Sequence, residues 1–243
     1  MPVSWQDNDW PQLNQGNPIG LTSMARARQL YIYHWPQKWH DNFLGSKLQL
    51  GWYRKNTALK PEMETSLTQR PSYLRLYPGP YKLSSPAGPV ALFRKQPHQE
   101  GTWKTRLSFF PNFDSSEAGT AVYWNYLTYS SIGIIRGSLD GRQIVFTSTS
   151  GEQVKVGLQA ADSEIDLVIE CKKQKYVFGF LEVTKTARRV PADKDIQWLG
   201  EVPTIELTKN RFVGEAGMML GLYAFDLQRS LDGPADFAFA EFL

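Results

Sequence analysis

Two runs of β-branched and aromatic residues, 120–126 and 131–136, flank a polar corner at residues 128–130, and both runs are apolar on both faces. Such side chains fit the pleat of a strand, and two runs joined by a short polar corner make a hairpin. A strand that is apolar on both faces has to be covered on both sides. The hairpin therefore belongs at the centre of a layered structure, an antiparallel β-sandwich.

The remaining sequence supplies neighbours for it. Residues 102–110 alternate, with Trp103, Thr105, Leu107 and Phe109 on one face and Lys104, Arg106 and Ser108 on the other, so one side packs inward and the other meets solvent or ligand. Further strands are expected at 48–53, 72–77, 142–148 after the Asp140-Gly141 turn, 152–158, 164–171, 176–182, 217–225 and 236–242. Loops are expected at 60–70, at the Pro- and Gly-rich 78–89, and at the polar 191–199. Strands at this spacing, without a long helical pattern, indicate an all-β jelly roll. Residues 1–40 differ: Pro, Asn, Gln and Gly dominate, and Trp5, Trp10, Trp35 and Trp39 are scattered without clear period. They read as an irregular arm, with a short helix starting at Thr22 or Ser23, ahead of a sandwich at 41–243.

Gly-Thr-Ala-Val-Tyr-Trp-Asn at 119–125, followed by Tyr-Ser-Ser-Ile-Gly at 129–133, resembles the central strands of the concanavalin A-like domain that closes family 43 β-xylosidases. Segments 70–77 and 92–98 resemble that domain's opening strands, and 212–224 and 234–237 its closing ones, in the right order. The resemblance covers roughly 43–243, while residues 2–16 resemble the closing tail of the family's catalytic β-propeller. It implies a concanavalin A-like jelly roll without the segments that supply the family's catalytic carboxylates. It also implies a propeller-docking face, left to be covered by self-association or by the tryptophans of the arm, and an apolar residue, Met219, aimed at the substrate pocket of a propeller.

Chemistry-bearing residues are sparse. A net charge of +3 with no dense basic run argues against nucleic acid, and no apolar run is long enough to cross a bilayer. Nor does the first stretch have the shape of a secretory leader, so the expectation is a cytoplasmic protein. Cys171 alternates in phase with Ile165, Leu167 and Ile169 and reads as a core thiol. His34, His40 and His98 lack metal-ligand spacing, and neither a metal nor a cofactor is expected. Asp114, Glu117, Glu182, Asp226 and Asp236 form no recognisable acid/base motif and read as solvated strand ends, with a structural calcium at Asp236 conceivable. Aromatic faces remain. Trp103 and Trp124 read as core, whereas Arg106, Tyr123, Asn125 and Arg136, with Met219 and Tyr223, are the candidate cleft for an oligosaccharide or small molecule. Two functions fit: a non-catalytic sandwich that binds carbohydrate, standing alone or as an accessory piece of a β-xylosidase, or a cofactor-free cyclase, isomerase or pericyclase of secondary metabolism that reuses the fold.

Overall fold

The computed structural model describes residues 3–4 and 12–13 by their backbone, and residues 38–55, 61–137, 141–160, 162–183, 193–209, 217–228 and 233–243. The chain divides into two units, Met1–Trp35 and Pro36–Leu243. In the first, β1 (Val3–Ser4) and β2 (Gln12–Leu13) pair antiparallel, a small ladder in what the sequence suggested was an irregular arm. The helix expected after Thr22 or Ser23, with Trp5, Trp10 and Trp35, lies outside the described residues.

The second unit is a β-sandwich. Its strands are β3 (Trp39–Asp41), β4 (Thr65–Ser66), β5 (Leu74–Leu76), β6 (Ala91–Lys95), β7 (Gly101–Ser108), β8 (Ser116–Asn125), β9 (Thr128–Arg136), β10 (Arg142–Thr147), β11 (Gln153–Gly157), β12 (Glu164–Lys172), β13 (Lys175–Val183), β14 (Gln197–Pro203), β15 (Met219–Asp226) and β16 (Ala235–Phe242), with a one-turn helix α1 (Thr204–Thr208) after β14. One sheet runs β11-β10-β9-β8-β15-β6, the other β14-β13-β12-β7-β16-β5-β4, with β3 added against β16. The hairpin β8–β9 occupies the middle of the six-stranded sheet, where strands apolar on both faces are needed.

Alternation decides what enters the space between the sheets. From the six-stranded sheet come Val122, Ile132, Ile134, Ile144, Phe146, Leu220 and Leu222; from the other come Trp103, Leu107, Ile165, Leu167, Ile169, Phe178, Phe180, Phe237 and Phe242. Cys171 joins them, and burial pushes its thiol up to about 12, so it stays protonated and inert. A polar link crosses this core. Trp103 Nε1 donates to Thr120 Oγ1 at 2.8 Å, and the Thr120 hydroxyl donates to the Gly221 carbonyl at 2.7 Å, so the indole N–H on one sheet is satisfied by the other. Trp39 stacks on Trp103 with centroids 5.9 Å apart, and Trp52 meets both edge-on. Trp39 is thus strand residue and core cap in one.

Three local expectations shift. The hairpin corner falls at Tyr126 and Leu127 rather than at 128–130, because Asn125 Oδ1 accepts hydrogen bonds from Leu127 N, Thr128 N and the Thr128 hydroxyl and closes the turn there. Residues 48–53 do not form a strand: Gly51 has φ 96°, and only Tyr53 bridges, to Phe93. Residues 197–203, the first three of which fall in the polar loop expected at 191–199, form the edge strand β14, of which only Val202 is buried. An edge strand with one neighbour tolerates that polarity, which hides it from pattern reading.

Candidate functional site

The outer face of the six-stranded sheet is where the aromatic residues gather. Because opposed residues in an antiparallel pair share a face, the register Tyr123 to Met219 and Tyr129, and Gly119 to Tyr223, sets these side chains side by side. Phe93 and Tyr123 lie 4.6 Å apart by centroid, Tyr123 and Tyr129 6.2 Å, and Tyr223 and Phe225 6.2 Å in stacked geometry. The loop at 78–90 covers them. Its Leu83 is buried among Ala91, Phe93, Ala121, Tyr123, Met219, Tyr223 and Phe225 as a second, smaller core. Lys55 pins the same loop, donating from Nζ to the Ser85 and Ala87 carbonyls at 2.5 and 3.1 Å.

A carboxyl group sits within this aromatic patch. Tyr223 Oη donates to Glu117 Oε1 at 2.5 Å. Tyr223 crosses a pair of opposed glycines, Gly119 and Gly133, and a Cβ on Gly133 would stand 2.7 Å from the tyrosine hydroxyl. Glycine at 133 is therefore what lets the phenol pass over the sheet. Burial raises the pKa of Glu117, opposed by the Tyr223 hydrogen bond and by Lys82 and Lys155. Burial, then the Glu117 charge, holds Tyr223 well above the ordinary tyrosine value. Beside the pair opens a pit of about 60 Å³ bordered by Lys82, Glu117, Tyr129, Ser131, Gln153 and Tyr223. Pockets that enclose drug-sized ligands start near ~300 Å³, so a sugar ring does not fit inside it. Glu117, expected from sequence to be solvated, and the pit around it are the features that sequence reading passed over; the signal was the Gly119/Gly133 pairing opposite an aromatic strand.

The cleft expected from sequence is not assembled. Tyr123, Met219 and Tyr223 do come together, but all three are buried, and the Tyr123 hydroxyl has no hydrogen-bond partner among the described residues. Asn125 lies in the hairpin turn. Arg136 continues the inward parity of Ile132 and Ile134 at the sheet's end, where it donates to the Asn112 carbonyl and faces Asp114 at 3.8 Å. Arg106 is on the other sheet altogether, opposed in register to Asp166 and bound to it through two hydrogen bonds of 2.7 and 3.1 Å. Alternation tells which residues share a face of one strand, but not which strands become neighbours. Trp103 is core as expected, while Trp124 is only half-buried.

The carboxylates have structural duties. Asp236 accepts from Arg70 and from the Arg75 fork at 2.7–2.9 Å, a setting already neutralised by cations and unsuited to calcium. Asp166 faces Arg106 and Lys104. Glu182 accepts from Gln159 N and Ala160 N, and Asp226 from the Ser115 hydroxyl and Gln228 N. Asp114 is exposed. Among the described residues no three His, Cys, Asp or Glu side chains are grouped to hold a metal ion.

Comparison with known proteins agrees with the two-sheet body. The family model described as the beta xylosidase C-terminal concanavalin A-like domain matches residues 40–243. A non-reducing end α-L-arabinofuranosidase of Bacteroides ovatus is 24% identical over 99% of this chain and 44% of its own length. Among solved structures, a xylan β-1,4-xylosidase of Bacillus halodurans superposes with a TM-score of 0.72 at 19% identity, covering 99% of this chain and 45% of that one. The BlXynB protein of Bacillus licheniformis gives 0.72 at 22%, covering 100% and 46%. The chain thus spans less than half the length of these relatives.

Proposed function

Because this chain belongs to the family of β-xylosidase C-terminal concanavalin A-like domains, we propose that it serves as the non-catalytic companion of a hydrolase acting on terminal xylosyl or arabinofuranosyl residues. The observation that carries this reading is the family match over the whole sandwich, residues 40–243. The commitments of its carboxylates support it. Glycoside hydrolysis needs two carboxyl groups about 5–9.5 Å apart across a sugar-binding cleft. Here Asp236 and Asp166 face outward from one sheet in ion pairs, and Glu117 lies on the outer face of the other, hydrogen-bonded to Tyr223. The sandwich contributes by docking against a catalytic β-propeller.

The isolated chain, incubated with chromogenic aryl β-xyloside and aryl α-L-arabinofuranoside, is expected to release no more chromophore than buffer. Grafted onto the propeller of the Bacteroides ovatus relative in place of that enzyme's own C-terminal half, it is expected to restore turnover that the bare propeller lacks. Turnover by the isolated chain would sink the reading, and so would a graft no more active than the bare propeller although both halves are folded.

A further inference from the structure

The chain leaves β3 into a loop, residues 42–51, that shows apolar side chains to water. Leu44 is 69% and Leu50 95% exposed, while Phe43, on the strand side of both, is buried. Lys47 is the one charged residue from Asn42 to Gly51, so the two leucines have little polarity around them. A loop free to move would turn such side chains inward.

This loop is not free. Asp41, itself buried, accepts from Phe43 N at 3.0 Å and from Trp52 Nε1 at 2.9 Å, which ties the two ends of the loop together. Phe43 takes φ 54°, a conformation that bulky side chains disfavour. It persists because the ring is buried, 6.2 Å by centroid from that of Trp52. At the far end Arg94 Nη1 donates to the Leu50 carbonyl at 2.9 Å, while its guanidinium lies 3.9 Å from the Trp39 ring centroid. A Cβ on Gly51, which has φ 96°, would stand 2.5 Å from that same Nη1, so glycine lets the arginine reach. Next in the chain, Tyr53 N and O bond to Phe93 O and N, both at 2.7 Å. The two leucines are thus held out on a fixed backbone, the preorganised state that a docking knob needs.

Position says what they meet. The family's C-terminal domain begins at residue 40, and this chain covers only 44–46% of its relatives, so in them a larger part of the chain enters the sandwich there. Leu44 lies four residues further on, at most about 14 Å of extended chain. Gln49 Nε2 donates to the His40 carbonyl at 3.3 Å, which brings Leu50 back to the same place. A catalytic half entering ahead of residue 40 therefore meets this loop first. We infer that the loop 42–51 seats that half, with Leu44 and Leu50 entering an apolar recess on it. The inference rests on the companion reading and adds the surface through which the companion works.

The graft onto the Bacteroides ovatus propeller tests it. Leu44→Ser/Leu50→Ser should lower the graft's turnover at least about tenfold and split the single thermal transition of the docked protein into two. Leu50→Ser alone, at the more exposed position, should act in the same direction with a smaller loss. Val154→Ser removes an exposed apolar side chain from β11, at the opposite edge of the six-stranded sheet from β6 and its Arg94, and should change neither reading. Both leucines are exposed, so the isolated double variant should melt within about 2 °C of the isolated wild type, which separates lost docking from lost folding. An active parent graft whose leucine variant keeps full turnover and one transition overturns the loop's role and leaves the companion reading standing. An inactive parent graft breaks that reading, and the loop's role with it. Sedimentation of the isolated chain adds a further arm: a dimer that the leucine substitutions abolish gives the loop to a second copy and overturns its assignment to the catalytic half.

Discussion

On the outer face of the eight-stranded sheet, carboxylates and cations answer one another across strands: Arg75 opposes Asp236, Arg106 opposes Asp166, and Arg70 links Asp236 to Glu164. On the outer face of the six-stranded sheet, the corresponding positions hold Phe93, Tyr123, Met219, Tyr223 and Phe225, roofed by Leu83. The first face can meet water because its charges are paired and its arginines stay partly hydrated. The second cannot, and its carboxyl group, Glu117, is hydrogen-bonded by a tyrosine. A sandwich with one wet and one roofed outer face is effectively three-layered: ion pairs, main core, and a second core under the 78–90 loop.

That contrast can be broken by substitution. If the roofed face is a true core, Tyr223→Ala costs about 3–5 kcal/mol by urea denaturation, as for a buried aromatic; a loss below ~1 kcal/mol would make it ordinary surface. On the wet face, Asp236→Ala leaves two guanidinium groups without their shared acceptor. Its expected cost is about 3 kcal/mol, the lower end for a broken buried pair because both arginines reach solvent. Combining it with Arg75→Ala should cost less than the two single losses added together.

Glu117 sharpens the comparison through pH. Burial raises its pKa above the ordinary 4.5, so the folded state favours the protonated carboxyl. Its contribution to stability is fully present below 4.5 and is lost as pH rises through the folded-state value. Glu117→Gln keeps an acceptor for Tyr223 and removes the titration. The variant should therefore gain on the wild type as pH climbs from 4.5 toward neutrality, and parallel stability curves would refute this. The smallest effect belongs to Tyr123→Phe, which deletes a buried hydroxyl with no hydrogen-bond partner among the described residues. Its stability, followed by thermal denaturation, should be unchanged or raised by no more than about 1 kcal/mol.

The sandwich was legible because its signals are local. The two-sided apolar hairpin, the alternation through Trp103 and Leu107, and the phase of Cys171 each follow from a period of two along one strand, and all three stand in the structure as read. The cleft of Arg106, Tyr123, Asn125 and Arg136 was not legible, since it required knowing which strands pair. β7 entered the sheet opposite β8, so Arg106 and Tyr123 face away from each other across the whole body. Polar edge strand β14 escaped for a related reason: nothing in its own residues says that a neighbour will supply its hydrogen bonds.

By itself the sequence determined the strand content, the inward residues and the family, because each depends on side-chain pattern and on order along the chain. Tertiary structure alone decided that Glu117 is the hydrogen-bond partner of Tyr223 and that Asp166 and Asp236 are locked in ion pairs. The physical reason is that burial and hydrogen-bond partnership are properties of neighbours in space. In an antiparallel sandwich those neighbours come from strands far apart in the chain, as Arg75 and Asp236 do.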